Sequence, residues 1–205
     1  LDNKTLLLQA LPFAVTLGVL PYVIRIEKFI IAGEIGVEAA ALFHVAQLAC
    51  LAGLVVPQAL RAALLPVLGE TRDDSLRFQK SLENSLDLCL GILPIGLFSG
   101  AAIVYILLPI AFPEQYIDGS LGASAVQLFM VLLFGWCLTL LATPTYTALQ
   151  AGRKPWNFTV LIAIVVIFAT LIGYILIRWQ AMESDGSGLY AGAIASSITS
   201  GFLLL

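Results

Sequence analysis

Charged residues are scarce in this chain. Asp, Glu, Lys and Arg make up 11% of its 205 residues, whereas 60% are apolar, and the mean hydropathy is +1.00. Soluble domains carry about 25% charged residues, so this composition argues against a soluble globular protein. Disorder is excluded as well, because disordered chains are poor in apolar residues. The formal net charge of −3 does not provide the basic face that a nucleic-acid-binding protein needs.

Residues that bind metals or carry out catalysis are equally scarce. Cys50, Cys89 and Cys137 stand singly within apolar runs, and His44 is the only histidine. The chain has no CxxC and no Cys/His cluster, so it predicts neither a zinc site nor a disulfide framework. It also lacks GxxxxGK[ST], HExxH and a Ser/His/Asp set, so we expect neither an ATP motor nor an enzyme. If the chain transports a substrate, it would draw on an ion gradient, the membrane potential or the substrate gradient. The coupling ion would be H⁺ or Na⁺ where one is used, and we expect no other cofactor.

What the chain has in abundance is long apolar sequence. A helix needs about 20 apolar residues to cross about 30 Å of hydrocarbon. Six stretches meet or approach that length, and they predict an all-α polytopic bundle of six transmembrane helices in one domain, residues 1–205. Since the sequence starts at a Leu and stops within an apolar run, we expect a fragment of a larger protein. The six stretches are about Thr5–Ala32, Val37–Leu68, Leu82–Phe112, Ala123–Ala151, Trp156–Trp179 and Gly188–Leu205.

The basic residues between these stretches predict the orientation. If the amino end is cytoplasmic, six basic residues fall in cytoplasmic segments, and only Arg178 falls on the opposite side. Cytoplasmic loops of membrane proteins carry such an excess of Lys and Arg. We therefore predict a multi-pass protein of the cytoplasmic membrane, with membrane lipid around it and a cytoplasmic amino end. The six basic residues are Lys4, Arg72, Arg77, Lys80, Arg153 and Lys154.

Proline and small residues recur within the apolar stretches. Each internal proline removes a backbone hydrogen bond and tends to kink its helix, and kinked helices can line a transport cavity. Two pairs of glycines, Gly96 with Gly100 and Gly188 with Gly192, have the spacing that lets helices approach closely. We interpret these pairs as packing within the bundle, with dimerisation as the alternative. The internal prolines are Pro12, Pro21, Pro57, Pro66, Pro94, Pro109 and Pro144.

Three charges interrupt the first apolar stretch. Arg25 and Lys28 lie about 60° apart on a helix, so they share one face, and Glu27 lies on a different side. Charges facing lipid are costly, so these side chains face the bundle interior, pair with each other or reach an interface. Two cations in a cavity would attract a phosphate or pyrophosphate group. The alternative is that the cations extend to the membrane surface at the end of the helix.

Other polar residues within the stretches are weaker cavity candidates. His44 and Gln47 share a face of the second helix, where His44 is a proton carrier, a partner for sugar hydroxyls or an interhelical hydrogen-bonding residue. Gln127 is a further candidate in the fourth helix. Arg61 lies near the cytoplasmic end of the second helix, where it either contacts a gate or extends to the interface. Asp87, with Asn84, either caps the third helix or faces the cytoplasmic mouth of the cavity.

Four sequence stretches follow one another in a characteristic order. They are Arg25–Lys28 with Ala32–Ala40, then Pro57–Leu68, Ala148–Lys154 and Gly188–Ala195. Their order and spacing resemble the multidrug/oligosaccharidyl-lipid/polysaccharide exporter superfamily, specifically its polysaccharide-type flippases for lipid-linked oligosaccharides, over nearly the whole chain. Glu27 stands where the family often has Asp, and Phe43-His44 stands where it often has Tyr.

The resemblance implies a flippase that carries polyprenyl-pyrophosphate-linked oligosaccharide to the outer leaflet for polysaccharide biosynthesis. This chain would be the second of two six-helix lobes, and the missing lobe would complete the cavity. Arg25 and Lys28 would hold the phosphates, and Glu27 would balance them or carry a coupling ion. His44, Gln47 and Gln127 would meet the sugar. The alternatives are a cation-coupled multidrug exporter of the same superfamily, a membrane enzyme of glycan synthesis and a membrane scaffold.

Overall fold

The computed structural model describes residues 11, 26–120, 122–152, 155–183 and 188–202. Within these ranges the protein consists of α-helices, one 3₁₀ turn and connecting loops, without a strand. The part of the predicted first helix before residue 26 lies almost entirely outside the described residues. The helices are α1 (Ile26–Glu34), α2 (Val37–Gly53), α3 (Val55–Thr71), α4 (Ser75–Ala111), α5 (Ala125–Ala151), α6 (Pro155–Glu183) and α7 (Gly188–Phe202).

Four helical segments are long and apolar enough to cross a membrane: Val37–Thr71, Ser75–Ala111, Ala125–Ala151 and Trp156–Met182. Their lengths and compositions support the predicted all-α class and its membrane-helix character. The short helix α7, with 15 residues, is about 22 Å long, which is less than the hydrocarbon thickness of about 30 Å. The described residues therefore provide four candidate spans, where the sequence predicted six.

The predicted second helix is two helices, since α2 and α3 are separated at Leu54. The break lies three residues before Pro57, whose nitrogen has no hydrogen to donate to the carbonyl of Gly53. That carbonyl instead accepts a hydrogen bond of 2.8 Å from the indole Nε1 of Trp136 in α5. A tryptophan from a neighbouring helix thus satisfies the backbone group that the proline leaves without its usual partner.

Helix α4 begins at Ser75, ahead of the predicted start near Leu82. Asp74 is its N-cap and accepts a hydrogen bond from the backbone nitrogen of Arg77 at 3.2 Å. The prediction that Asn84 and Asp87 cap this helix is therefore wrong. Helix covers most of the polar segment from 69 to 81, because α3 continues to Thr71 and the Asp74 cap starts α4 at Ser75.

Helix α5 is the centre of the bundle and contacts α2, α3, α4, α6 and α7. Ser124 and Gln127 start it as a capping box. The Ser124 hydroxyl accepts from the Val126 nitrogen at 3.2 Å, and the Gln127 side chain accepts from the Ser124 nitrogen at 3.3 Å. These bonds satisfy amides that an uncapped helix end would leave unpaired.

Glycine determines two of the close helix contacts. A Cβ on Gly96 of α4 would stand 2.9 Å from Cζ3 of Trp136, and one on Gly192 of α7 would stand 2.7 Å from Cδ1 of Ile31 in α1. Both contacts lie within this chain, as the interpretation of the glycine pairs as packing within the bundle expects.

The loop between α4 and α5 contains a 3₁₀ turn, Glu114–Tyr116. Within it, the backbone nitrogen of Ser120 donates to Oδ1 of Asp118 at 2.8 Å. This hydrogen bond favours the ionised carboxylate, so it lowers the pKa of Asp118 below its ordinary value. The loop therefore keeps a negative charge at the end of the bundle that we predict to be extracytoplasmic.

Candidate functional site

A buried carboxylate lies on α1. Glu27 is 1% exposed, and its Oε2 has no hydrogen-bond partner among the residues that the structure describes. A polar group buried in this way is costly, and charged residues within membrane helices commonly mark ion or substrate pathways. Of the predicted site residues that the structure describes, Glu27 is the one whose environment departs most from that of an ordinary packing residue.

The carboxylate of Glu27 lies where α1 packs against α6. Gly173 of α6 leaves room for it, since a Cβ built there would stand 3.9 Å from Cγ of Glu27 and 3.4 Å from Cδ1 of Ile30. Ile31, on the next turn of α1, is fully buried. The neighbours of Glu27 among the described residues are thus apolar side chains and a glycine, and the described residues form no ion pair with its carboxylate.

Lys28 has a different environment from Glu27. It is half-buried, and its Nζ lies 5.9 Å from the ring centroid of Phe29, which is 63% exposed. Its predicted partner on the cationic face, Arg25, lies outside the described residues. The helix therefore directs Glu27 inward and Lys28 towards an exposed aromatic ring, and a phosphate site made by the two cations stays a prediction.

His44 and Gln47 lie on α2, which packs against α1 and α5. Gln47 is 4% exposed, and His44 is half-buried. Between them in sequence, Val45 and Ala46 are buried as well, so protein surrounds most of this turn of α2. Their role towards a sugar stays a prediction.

Gln127 lies at the beginning of α5, where its side chain is committed to structure. Its Oε1 belongs to the capping box and also accepts a hydrogen bond of 2.7 Å from the hydroxyl of Tyr190 in α7. These bonds join the start of α5 to α7. The side chain is exposed, so its amide nitrogen remains accessible at this end of the bundle.

Arg61 joins α3 to the last turns of α5. Its Nε and Nη2 donate to Oε1 of Gln150 at 3.1 and 2.8 Å, and its guanidinium lies 5.9 Å from the ring centroid of Tyr146. The Tyr146 hydroxyl in turn donates to Oγ1 of Thr143 at 3.2 Å. Gln150 is 7% exposed. This cluster fixes the guanidinium in a half-buried position without a carboxylate partner among the described residues.

Two contacts show that α3 and α5 run in the same direction. Gly53, just before α3, meets Trp136, and Arg61 meets Gln150 further along both helices. The predicted second and fourth spans also share a direction, so this geometry agrees with the predicted alternation of the helices. Asp87, the other candidate for the cytoplasmic mouth, is exposed on α4 and forms no ion pair with Arg61.

Sequence reasoning missed Gln150, Tyr146, Trp136 and Gly53. The sequence contained a signal for Gln150. An arginine inside an apolar helix needs a hydrogen-bond acceptor, and the other spans offer few polar side chains that could accept. The sequence also contained a signal for the Trp136–Gly53 hydrogen bond. Pro57 has no N–H, so the carbonyl four residues before it, that of Gly53, loses its usual donor. The sequence gives no indication of which donor replaces it.

No known protein family, curated protein or solved structure matches this chain. Among the described residues, no group of three or more His, Cys, Asp and Glu side chains could hold a metal ion. The features of the chain that indicate a function are therefore the buried carboxylate of α1, the Arg61 cluster and the apolar spans.

Proposed function

We propose that this chain is part of a membrane transporter, a flippase that carries polyprenyl-pyrophosphate-linked oligosaccharide across the cytoplasmic membrane for polysaccharide biosynthesis. The proposal treats the chain as one six-helix lobe with its amino end in the cytoplasm. A partner lobe of the same longer chain would complete the cavity. The protein would act without enzymatic turnover, by alternating access of the two lobes to either side.

The observation that carries this proposal is the burial of Glu27. A scaffold that only spans the bilayer has no use for a carboxylate that is 1% exposed and lacks a partner at Oε2 among the described residues. An unpaired buried ion costs several kcal/mol, at the order of magnitude typical of proteins. A transporter uses such a group. A proton, a cation or a cationic side chain can neutralise the carboxylate in one conformation and leave it in another. Binding and release of that charge are then coupled to the conformational change.

The test compares two carboxylates of the same helix. Glu27→Gln keeps the shape of the side chain and removes its charge, and Glu34→Gln is the matched control, since Glu34 is exposed on α1. We expect Glu27→Gln to abolish flipping of a fluorescent lipid-linked oligosaccharide by the full-length protein in vesicles, whereas Glu34→Gln keeps parental rates. Equal rates for the two variants would remove Glu27 from the mechanism.

The predicted role of the cations has its own test. The double variant Arg25→Ala, Lys28→Ala should lose flipping if the two side chains hold the pyrophosphate. A change confined to the amount of protein in the membrane would instead assign them to the membrane surface.

A cation-coupled exporter of the same superfamily is the second candidate. It is favoured by the inward carboxylate of Glu27 together with the position of Lys28 beside an exposed ring. This candidate predicts that vesicles containing the full-length protein expel cationic aromatic compounds when a proton or Na⁺ gradient is imposed. It also predicts that Glu27→Gln stops this efflux, while lipid-linked sugars stay in their original leaflet.

A further inference from the structure

An apolar groove lies at the break between α2 and α3. It has a volume of about 290 Å³ and is bounded by the end of α2, the start of α3, the middle of α4 and the first half of α5. Small residues create the space, because five of its lining positions are alanine or glycine. The lining residues are Ala49, Cys50, Ala52, Gly53, Val56, Gly96, Ser99, Gly100, Ile103, Val104, Phe129, Leu133 and Trp136.

The polar side chains of this groove are already satisfied within the protein. The indole of Trp136 donates to Gly53 O at 2.8 Å, the hydroxyl of Ser99 donates to Ile95 O at 2.6 Å, and the thiol of Cys50 points to Leu132 O at 3.8 Å. The groove therefore offers an occupant almost nothing but hydrocarbon contacts. Sugar hydroxyls and phosphates would lose their hydrogen bonds to water on entering it.

The position of the groove indicates where an occupant would come from. Its lining residues fall in the middle of the span Val37–Thr71, in the second half of Ser75–Ala111 and in the first half of Ala125–Ala151. Its rim on α4 includes Ile103, which is 53% exposed. That rim continues into an exposed apolar face of α4 with Phe98 and Ile106, which are 72% and 61% exposed. At the middle of a span the bilayer supplies hydrocarbon chains rather than headgroups.

We propose that this groove binds one hydrocarbon chain of a membrane phospholipid. Apolar cavities of about 150 Å³ stay dry and take up small apolar molecules, and this groove is larger and opens towards the lipid-facing side of α4. The chain would lie against the face of Trp136, next to the carbonyl of Gly53 that the indole holds. This inference does not depend on the proposed transport activity.

The test uses Trp136 as its probe. The double variant Trp156→Phe, Trp179→Phe removes the other two tryptophans, both of which are exposed. The full-length protein, with any tryptophans of its remaining sequence also replaced by Phe, is placed in vesicles of dioleoylphosphatidylcholine or of the same lipid brominated along its chains. We expect loss of Trp136 fluorescence in the brominated vesicles, because bromine quenches an indole that it contacts.

Two further variants determine whether the quenching comes from the groove. Ala52→Phe fills it and should restore fluorescence in brominated vesicles, and Ser99→Leu is a second filling variant if the first fails to fold. Ala63→Phe is the matched control, because Ala63 is exposed on α3 outside the lining. It should leave the quenching unchanged.

Three results would overturn the proposal. If Trp136 keeps its fluorescence in brominated vesicles, lipid does not enter the groove, and protein covers it, either residues 1–25 or a partner lobe. Quenching that persists in both filling variants would mean that lipid reaches the indole by another path. Quenching by water-soluble acrylamide in place of brominated lipid would mean that the groove is wet.

Discussion

Helices α4 and α5 have the same hydropathy and opposite surroundings. The most apolar window of each has a mean hydropathy of 2.2, yet 6% of that window is buried within the protein in α4 and 56% in α5. Hydropathy therefore indicates that a helix belongs in a bilayer, but not whether protein or lipid surrounds it.

Side-chain size and internal hydrogen bonding explain the difference. Helix α5 buries bulky side chains such as Leu140 and Trp136, and its small and hydroxyl residues allow the neighbouring helices to approach closely. A Cβ on Gly135 would stand 3.0 Å from Cα of Ser197, and Thr143 and Thr147 are fully buried with hydroxyls that donate to carbonyls one turn back. The exposed part of α4 instead presents bulky apolar side chains such as Phe98 and Ile110. Small residues at protein contacts and large ones towards lipid are typical of membrane bundles.

The largest expected contrast comes from removing a leucine from each helix. Leu140 of α5 is fully buried, and Leu107 of α4 is 54% exposed. Leu140→Ala should lower the free energy of unfolding by about 2–5 kcal/mol, because it leaves a cavity among protein side chains. Leu107→Ala should change it by less than about 0.5 kcal/mol. Denaturant titration in detergent measures both, and similar losses would contradict the assignment of α5 as the centre.

A smaller contrast separates two glycines of α4. Gly96→Ala should destabilise the protein by about 1–3 kcal/mol, since the added methyl would meet the ring of Trp136. Gly91→Ala adds a methyl where nothing lies within 4 Å, and it should stabilise the helix by about 0.5–1 kcal/mol. Thermal unfolding shows whether each variant is less or more stable than the parent. If Gly96→Ala stabilised the protein, α4 would lie further from α5 than the structure places it.

The sequence predicts the all-α class and the positions of the four long apolar helices well, because both follow from the length of apolar runs. It also predicts two further spans, which are not among the four candidate spans of the described residues. It predicts helix ends less well. The α2–α3 break involves Pro57 and the indole N–H of Trp136, which lies 79 positions after Pro57. Which side chain donates to the Gly53 carbonyl depends on how the helices pack, so the sequence does not predict it. The start of α4 at Ser75 is predictable from Asp74, a favoured N-cap residue, but the many charges of that segment favoured a loop.

The bond between Trp136 and Gly53 is open to a rescue experiment. Trp136→Phe should cost about 1–2 kcal/mol, because the buried carbonyl loses its donor, although carbonyls tolerate this better than amides do. In a Pro57→Ala background the same change should cost less, since residue 57 then has an N–H for Gly53 O. A double-mutant cycle on the free energy of unfolding measures the coupling, and a coupling of zero would mean that the indole only fills space.

The smallest effect is expected at the link between α3 and the end of α5. Arg61→Lys should lower the free energy of unfolding by about 0.5–1.5 kcal/mol, because an ammonium cannot keep both hydrogen bonds to Gln150. Arg77→Lys is the control, since its side chain is 80% exposed and its ion pair with Asp74 lies at the surface. Equal losses at Arg77 and Arg61 would show that the Arg61 cluster adds no more stability than the surface ion pair does.

The candidate site was only partly predictable. Glu27 stood out as a charge within an apolar run, and its burial agrees with that signal. The sequence could place Arg25 and Lys28 on one face of a helix but could not say what that face meets, because helix rotation depends on neighbouring helices. The resemblance predicts Gln127 as a ligand for sugar, whereas its position before an apolar run, three residues after Ser124, also matches a capping box.

The most direct test of the account is photolabelling of the reconstituted full-length protein with a phospholipid that carries a diazirine in its acyl chain, mapped by mass spectrometry. It needs no substitution. The account predicts heavy labelling of Phe98, Ile106 and Ile110 on α4 and little on Leu140 and Thr143 of α5. Equal labelling of the two helices, or none on α4, would contradict it.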